Sequence, residues 1–274
     1  PNALHAPYVL RAAKAGKHVL CEKPMATSVV EAQQMIDGCK AAGVKLMIAY
    51  RCQYEPYNRI VIDMVGAKKL GPVGLIEACN TQNQADIGQW RLKKHLSGGG
   101  SLPDVGLYCL NSARAVLNEE PIEVFATTFS PPGDPRFDEV EATVSFVLRF
   151  PSGAIANCTS SYALHESRQM RVHGPEGDLY LANAFGYEGQ ELTEIRQEGQ
   201  VTTATRQTIP VKNQFALELD HMADCITRDI TPHTPGEEGL QDHRVMEAIY
   251  ESARIGAPVK LTPPGFATRG PDPA

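Results

Sequence analysis

The stretch KHVLCEKPMATSVVEAQQMIDGCKAAGVKLMIAYR, residues 17–51, holds two short apolar runs separated by one amphipathic segment. His18 to Cys21 reads as a buried parallel strand, and Glu22-Lys23-Pro24 must then leave the sheet at its C-terminal edge. Ser28 with Glu31 fits a capping box; Ala32, Met35, Ile36 and Cys39 fall on one helical face, and Gly43 is placed to end that helix. Lys45 to Tyr50 reads as a second strand. Upstream, Ala6, Val9, Leu10 and Ala13 share one helical face behind Asn2, a good N-cap residue, and Gly16 supplies the stop. Residues 2–50 thus alternate helix, strand, helix, strand, as in a doubly wound parallel sheet. Residues 1–52 are expected to be a remnant of a dinucleotide-binding (Rossmann) domain.

Such a domain carries a G-x-G-x-x-G turn between its first strand and first helix, and nothing in residues 1–50 supplies one. The chain opens on Pro1 and enters a helix with no strand before it. It therefore reads as cut from something longer, with the front of the cofactor-binding half missing. Gly98-Gly99-Gly100 has the wrong spacing to substitute, and reads as a flexible or close-approach loop.

Beyond residue 52 the alternation stops. After a helix near Tyr57 to Lys68, strand-like runs follow at Val73 to Asn80, Ile122 to Ser130, Ala142 to Phe150, Ala154 to Ser161 and Asp178 to Leu181. Turns at Pro151-Ser152-Gly153 and Gly174 to Gly177 make hairpins of some of them. Helices return at Gln214 to Arg228, with Phe215, Leu219, Met222 and Ile226 on one face, and at Glu237 to Arg254. The fold class expected is α/β: part of a Rossmann sheet, then an α+β domain over residues 53–261 with a large, mostly antiparallel open sheet. Residues 262–274, rich in proline and glycine, are expected to be an irregular or mobile tail.

Composition excludes several functions. A net charge of -6 with no lysine or arginine block argues against nucleic acid, and no apolar run is long enough to cross a bilayer. The seven cysteines lack paired spacing and read as buried free thiols, while the eight histidines offer no ligand pair, so no metal is expected. Unpaired cysteines favour a reducing, cytoplasmic setting, with a periplasmic one the alternative if an export signal lies upstream.

Four places can carry chemistry. Lys23, beside Glu22 and Pro24, stands at the sheet edge, where open α/β sheets bind ligands. Tyr50-Arg51 ends the second strand at the same edge. Asp104 and Tyr108 are four apart and share a face if a helix begins near Asp104. A tyrosine there acts as general acid or base if a cation such as Lys23 depresses its pKa from about 10. Trp90-Arg91 offers a flat face and a fixed charge. Each also has a bland reading: a solvated turn lysine, a helix cap at Asp104 with Tyr108 in the core, a buried tryptophan beside a surface arginine.

Taken together, Glu22-Lys23-Pro24-Met25, Tyr50-Arg51-Cys52, Trp90-Arg91-Leu92, the run from Gly98 to Tyr108, Asn213-Gln214-Phe215 and Pro235 to Gly239 resemble the Gfo/Idh/MocA oxidoreductase family. A tyrosine at position 108, where many members have histidine, is similar to the glucose-fructose oxidoreductase and aldose dehydrogenase branches. The resemblance implies a Rossmann domain joined to an α/β domain whose open sheet mediates homo-oligomerisation, as a dimer or tetramer. It implies a sugar substrate and a nicotinamide cofactor, NADP or else NAD. It further implies that Lys23 binds cofactor and substrate, Asp104 positions the sugar and Tyr108 moves the hydroxyl proton. Glu22, Pro24, Tyr50, Arg51, Trp90 and Arg91 would help hold the cofactor. The alternatives are a non-catalytic sugar-binding or regulatory member of the fold, or a truncated chain unable to bind cofactor.

Overall fold

The computed structural model describes residues 1–273; Ala274, the end of the expected tail, lies outside the described residues. A short 3-10 turn at Asn2–Leu4 leads into α1 (His5–Lys14), then β1 (Val19–Glu22), α2 (Val29–Ala41) and β2 (Leu46–Ala49). The two strands pair in parallel, Val19 opposite Leu46 and Glu22 opposite Ala49. Both helices end as their glycines require. Gly16 and Gly43 sit at positive φ (69° and 64°), and the next residues, Lys17 and Val44, bond back to the carbonyls of Ala12 and Cys39. Ala6, Val9 and Ala13 of α1 and Ala32, Met35 and Cys39 of α2 are buried, as their periodicity demands.

Asn2 is not a cap. Its side chain is buried and donates from Nδ2 to the Ser97 carbonyl at 2.8 Å, tying the start of the chain to α4 (Lys94–Ser97). In the anticipated capping box only one half forms around Ser28. Ser28 Oγ accepts from Glu31 N, while the Glu31 carboxylate accepts from Thr27 N and its hydroxyl.

After α3 (Pro56–Gly66) the second layer begins with β3 (Leu75–Asn83), followed by a π-type turn at Leu102–Gly106 that runs into α5 (Leu107–Leu117). Strands β4 (Glu123–Phe129), β5 (Thr143–Arg149), β6 (Ile155–Ser161), β7 (Ala163–Gly174), β8 (Gly177–Ala182), β9 (Glu191–Glu198) and β10 (Val201–Gln207) follow. Helices α6 (Gln214–Thr227) and α7 (Gly236–Ile255) and the short β11 (Val259–Lys260) complete the chain. One nine-stranded sheet results, ordered β10-β9-β8-β7-β3-β6-β5-β4-β11. Only β3 and β6 run parallel; every other neighbouring pair is antiparallel. On one face, Ile76, Ala78, Val124, Val144, Phe146, Leu148 and Ala156 are sealed into the core that α5 and α7 cover. The other face leaves Phe125, Phe129 and Ile155 exposed.

A further expectation needs correction. In α6 the buried face is Gln214, Glu218, Met222 and Cys225, whereas Phe215, Leu219 and Ile226 are exposed, Leu219 by 60%. Hydrophobic periodicity fails there because this helix turns polar side chains inward, towards Arg51. The described part of the tail is irregular, as one of the two expected alternatives had it, with residues 268–270 tied down. Arg269 bonds Glu238 and Asn118, Thr268 bonds Glu120, and Gly270 N bonds the His233 carbonyl.

Helix α7 joins the two layers. It packs on α2 and β2 as well as on β4, and the segment before it bonds β2, Ile48 N to Thr234 O. No helix of the described residues is long and apolar enough to cross a membrane.

Candidate active site

The parallel pair β1 and β2 ends against the π-type turn, and a cleft of about 510 Å³ opens at that junction. Glu22, Lys23, Arg51, Trp90, Arg91, Asp104 and Tyr108 all border it. The sequence motifs, separated by up to 86 residues in the chain, are therefore brought to one place by the fold.

Lys23 and Asp104 form its centre. Lys23 Nζ donates to Asp104 Oδ1 at 3.1 Å and to the Asp104 carbonyl at 2.7 Å. Arg91 Nε donates to the other carboxylate oxygen at 3.1 Å, and the Tyr162 hydroxyl donates to that same oxygen at 2.7 Å. Burial works against ionising Asp104, but Lys23 and Arg91 outweigh it and hold the carboxyl below its usual range. The same partnership keeps Lys23 charged despite its own burial, with the Tyr108 and Asp104 sites raising its pKa. Asp104 thus orders two cations and does not cap a helix.

Tyr108 lies one turn on, on the same face. Its hydroxyl accepts from Arg51 Nε at 3.0 Å, and Lys23 Nζ stands 4.3 Å from its ring centre. The lysine therefore meets the face of the ring, as a cation-π contact, and not the hydroxyl. Burial pushes the phenol above its usual pKa, while Lys23 and Arg51 both pull it down without overcoming that. The expected depression by Lys23 has the right sign but not the larger magnitude in this arrangement.

Arg51 is nearly sealed and uses its whole fork. Beyond Tyr108 it donates to the carbonyls of Phe185 and Gly186 and to Gln214 Oε1, and it stacks on Tyr187 at 4.6 Å. Its role is to fix Tyr108 and the segment at 185–187. Trp90 and Arg91 stack on each other at 4.5 Å. Arg91 commits its Nε to Asp104.

Tyr50 and Pro24 do not border the cleft. Consecutive side chains after a strand point opposite ways, so with Arg51 in the cleft Tyr50 enters the core, 5% exposed. There burial first, and then Asp242 and Glu238, push its pKa far up. Pro24 is buried, and its carbonyl meets His5 Nδ1 at 2.9 Å.

Support comes from below. Asn80 Nδ2 holds the Val105 carbonyl of the π-type turn at 3.0 Å, and Glu141 accepts from Gly100 N, Leu102 N and the Tyr250 hydroxyl. Behind α5, Arg114 is wholly buried and binds Glu120, Glu238 and Asp242. Asn111 and Gln53 join the same cluster. Although burial opposes it, Arg114 and Arg269 keep Glu238 ionised, below the usual range, whereas burial pushes Asp242 up.

Sequence reasoning missed Tyr162, Glu218, Asn80 and Arg168, all close to the cleft or in contact with its residues. Asn80 carried a signal: it follows Ile76 and Ala78 at inward positions of a strand, where a polar side chain needs a partner. Tyr162 and Glu218 carried none.

Comparison with known proteins decides the family. A profile described as the oxidoreductase family C-terminal alpha/beta domain, Gfo/Idh/MocA type, matches residues 62–261, and the family's NAD-binding Rossmann fold profile matches residues 1–50. The chain belongs to the Gfo/Idh/MocA oxidoreductase family. Residues 1–50 supply a recognisable part of the Rossmann domain, which corrects the view that this half is missing. Among Gfo/Idh/MocA relatives, a D-xylose 1-dehydrogenase [NADP(+)] of Haloarcula marismortui is 32% identical over 95% of this chain and 72% of its own length. A D-xylose 1-dehydrogenase (NADP(+)) 2 of Haloferax volcanii is 34% identical over 95% and 78%. The crystal structure of an aldose-aldose oxidoreductase from Caulobacter crescentus, complexed with glycerol, superposes with a TM-score of 0.91 at 45% identity, over 95% of this chain and 77% of that one.

Proposed function

We propose that the protein oxidises the C1 hydroxyl of an aldose with NADP as acceptor, Tyr108 taking the hydroxyl proton. NAD is the other cofactor reading. The observation that carries this is the Tyr108 hydroxyl, held in the cleft by Arg51, with Lys23 over its ring and Asp104 one turn before it. The xylose and aldose activities named for the relatives support the same substrate class.

The cofactor fits the residues present at its nicotinamide end. The cleft opens at the C-terminal edge of β1 and β2, where such sheets bind nucleotides, and it combines aromatic faces with positive charge. Glu22, Lys23, Trp90 and Arg91 would hold it, and when bound it supplies the hydride acceptor. Lys23 and Asp104 orient the sugar hydroxyl toward Tyr108. Lys23 and Arg51 stabilise the Tyr108 phenolate, which takes the sugar hydroxyl proton and afterwards releases it to water, so that the phenolate is restored for the next turnover. Trp90 and Tyr187 flank the cleft.

Protein mixed with D-xylose or D-glucose and NADP should give a rise in nicotinamide fluorescence. A rise without added cofactor, reversed by a ketose such as fructose, supports a retained cofactor recycled between sugars. No rise with any aldose, while NADPH still binds, would favour a non-catalytic member of the fold. We further propose that the open sheet face bearing Phe125, Phe129 and Ile155 pairs copies of the chain into a homo-oligomer, and that the protein works in the cytoplasm. Sedimentation of wild type against Phe129→Lys tests the assembly.

A further inference from the structure

Glu218 lies in the second turn of α6 and borders the cleft on the side where β1 and β2 end. It is 3% exposed. Neither carboxyl oxygen has a hydrogen-bond partner among the described residues, and Oε1 is sealed from solvent. A buried polar group left in this way destabilises the fold, and in native proteins such groups mark a function or a missing partner. No other exposed or buried carboxyl bordering the cleft is so isolated: Asp104 has three donors, and Glu22 is exposed.

The surroundings define what it can bind. Phe215, one turn earlier, meets Tyr187 in a tilted contact with ring centres 5.5 Å apart and planes at 59°, and both rings border the cleft. A planar heterocycle lying against such rings with an amide at its rim matches this pairing of aromatic wall and lone carboxyl.

We propose that Glu218 is a cofactor-binding residue whose carboxyl Oε2 hydrogen-bonds the carboxamide of the nicotinamide ring, Oε1 remaining sealed behind it. This rests on the oxidoreductase reading above and adds a residue and a protonation state to it. A neutral carboxyl protonated on Oε2 can donate to the carboxamide C=O; an ionised one can only accept. The groups facing Glu218 favour the neutral form. Burial first and then Glu22 at the end of β1 raise its pKa, against Arg51, to about 8, with the Cys52 thiol and the Tyr54 hydroxyl as its other titratable neighbours. Cofactor affinity should therefore fall as pH rises through this range.

The test is binding, not turnover. NADPH is titrated by fluorescence at pH 6.5 and pH 9 into wild type, Glu218→Gln and Glu218→Leu, with adenosine 2′,5′-bisphosphate, which lacks the nicotinamide, as competitor and control. The proposal expects wild-type affinity for NADPH to fall about tenfold between the two pH values, and Glu218→Gln, which keeps donor and acceptor, to bind equally at both. Glu218→Leu should bind NADPH roughly ten- to thirty-fold more weakly at pH 6.5 with the bisphosphate unaffected. Glu218→Leu binding NADPH as wild type does overturns it, as does an equal loss for both ligands, which indicates a purely structural role. Binding of neither NADPH nor NADH by wild type would match the reading of a truncated chain unable to bind cofactor and would overturn this inference for the chain, while leaving the oxidoreductase family itself in place.

Discussion

Arg51 donates from Nε to the Tyr108 hydroxyl at 3.0 Å while its guanidinium lies 4.6 Å from the centre of the same ring. One cation thus acts on the phenol twice, through its oxygen and through its face. On the proposed function, Tyr108→Phe should lower kcat by about 10²- to 10⁴-fold with the sugar KM little changed, because only the proton route is removed. Arg51→Met should raise the Tyr108 pKa, since a cation that lowers it is lost, and so move the pH profile of sugar oxidation to higher pH. A profile that stays in place, at any rate, would separate Arg51 from the acid-base step.

Asp104 is held by Lys23, Arg91 and Tyr162 together. Tyr162→Phe deletes one donor and leaves both cations, so it should cost about 1 kcal/mol of stability and only a few-fold in kcat. Asp104→Asn removes the charge that keeps Lys23 protonated against burial. The Lys23 pKa should drop, and activity should fall well below that of the Tyr162 variant. Steady-state kinetics of the pair ranks the two contributions; equal losses would contradict the ordering.

Much of this arrangement was legible in the sequence, for reasons that differ by element. Residues 2–50 declared themselves because apolar spacing and the glycine stops at Gly16 and Gly43 agree, although Asn2 makes no cap. The run from Gly98 to Tyr108 was legible as a loop entering a helix, although the π-type turn inside it was not, since its wider winding leaves no mark on spacing. Strands β9 and β10 escaped notice because both faces of that hairpin are largely polar and β10 is exposed nearly throughout, so the alternation that signals a strand is absent. The direction of Tyr50 was equally hidden. Two adjacent residues at a strand end must diverge, and only the buried cluster at Glu238 and Asp242 determines which one turns inward. Helix α6 misled because its exposed residues are the apolar ones and its buried ones include Gln214 and Glu218.

That buried cluster should dominate stability. Arg114 has no exposed side-chain surface and faces three carboxylates, Glu120, Glu238 and Asp242. Arg114→Met leaves Asp242 without a cation and Glu120 and Glu238 with Arg269 alone, at a cost of about 3–5 kcal/mol. In the variant, Glu238 and Asp242 should have folded pKa values above those of the unfolded chain, so the folded state binds more protons and stability falls as pH rises. The deficit relative to wild type should therefore be smaller at pH 5 than at pH 8. Urea unfolding at the two pH values checks this, and a pH-independent deficit would refute it.

The glycines before the site couple packing to chemistry. A Cβ on Gly100 would stand 1.9 Å from the Glu141 carbonyl oxygen, a backbone atom that cannot swing aside. Glu141 also accepts from Gly100 N and Leu102 N, so the clash falls on the bonds that seat the turn carrying Asp104 and leading to Tyr108. Gly100→Ala should destabilise by about 1–3 kcal/mol. Its catalytic loss should exceed what that destabilisation removes from the folded population, because a displacement near 1 Å at the reacting groups costs on the order of 10²-fold. Gly66→Ala is the matched control: its Cβ meets nothing within 4 Å at the end of α3, and alanine favours helix, so stability should hold or rise slightly. Measuring kcat on fully folded protein, at a temperature well below the Tm of both variants, separates the two effects. Normal kcat in Gly100→Ala would mean that the turn absorbs the clash without moving Asp104.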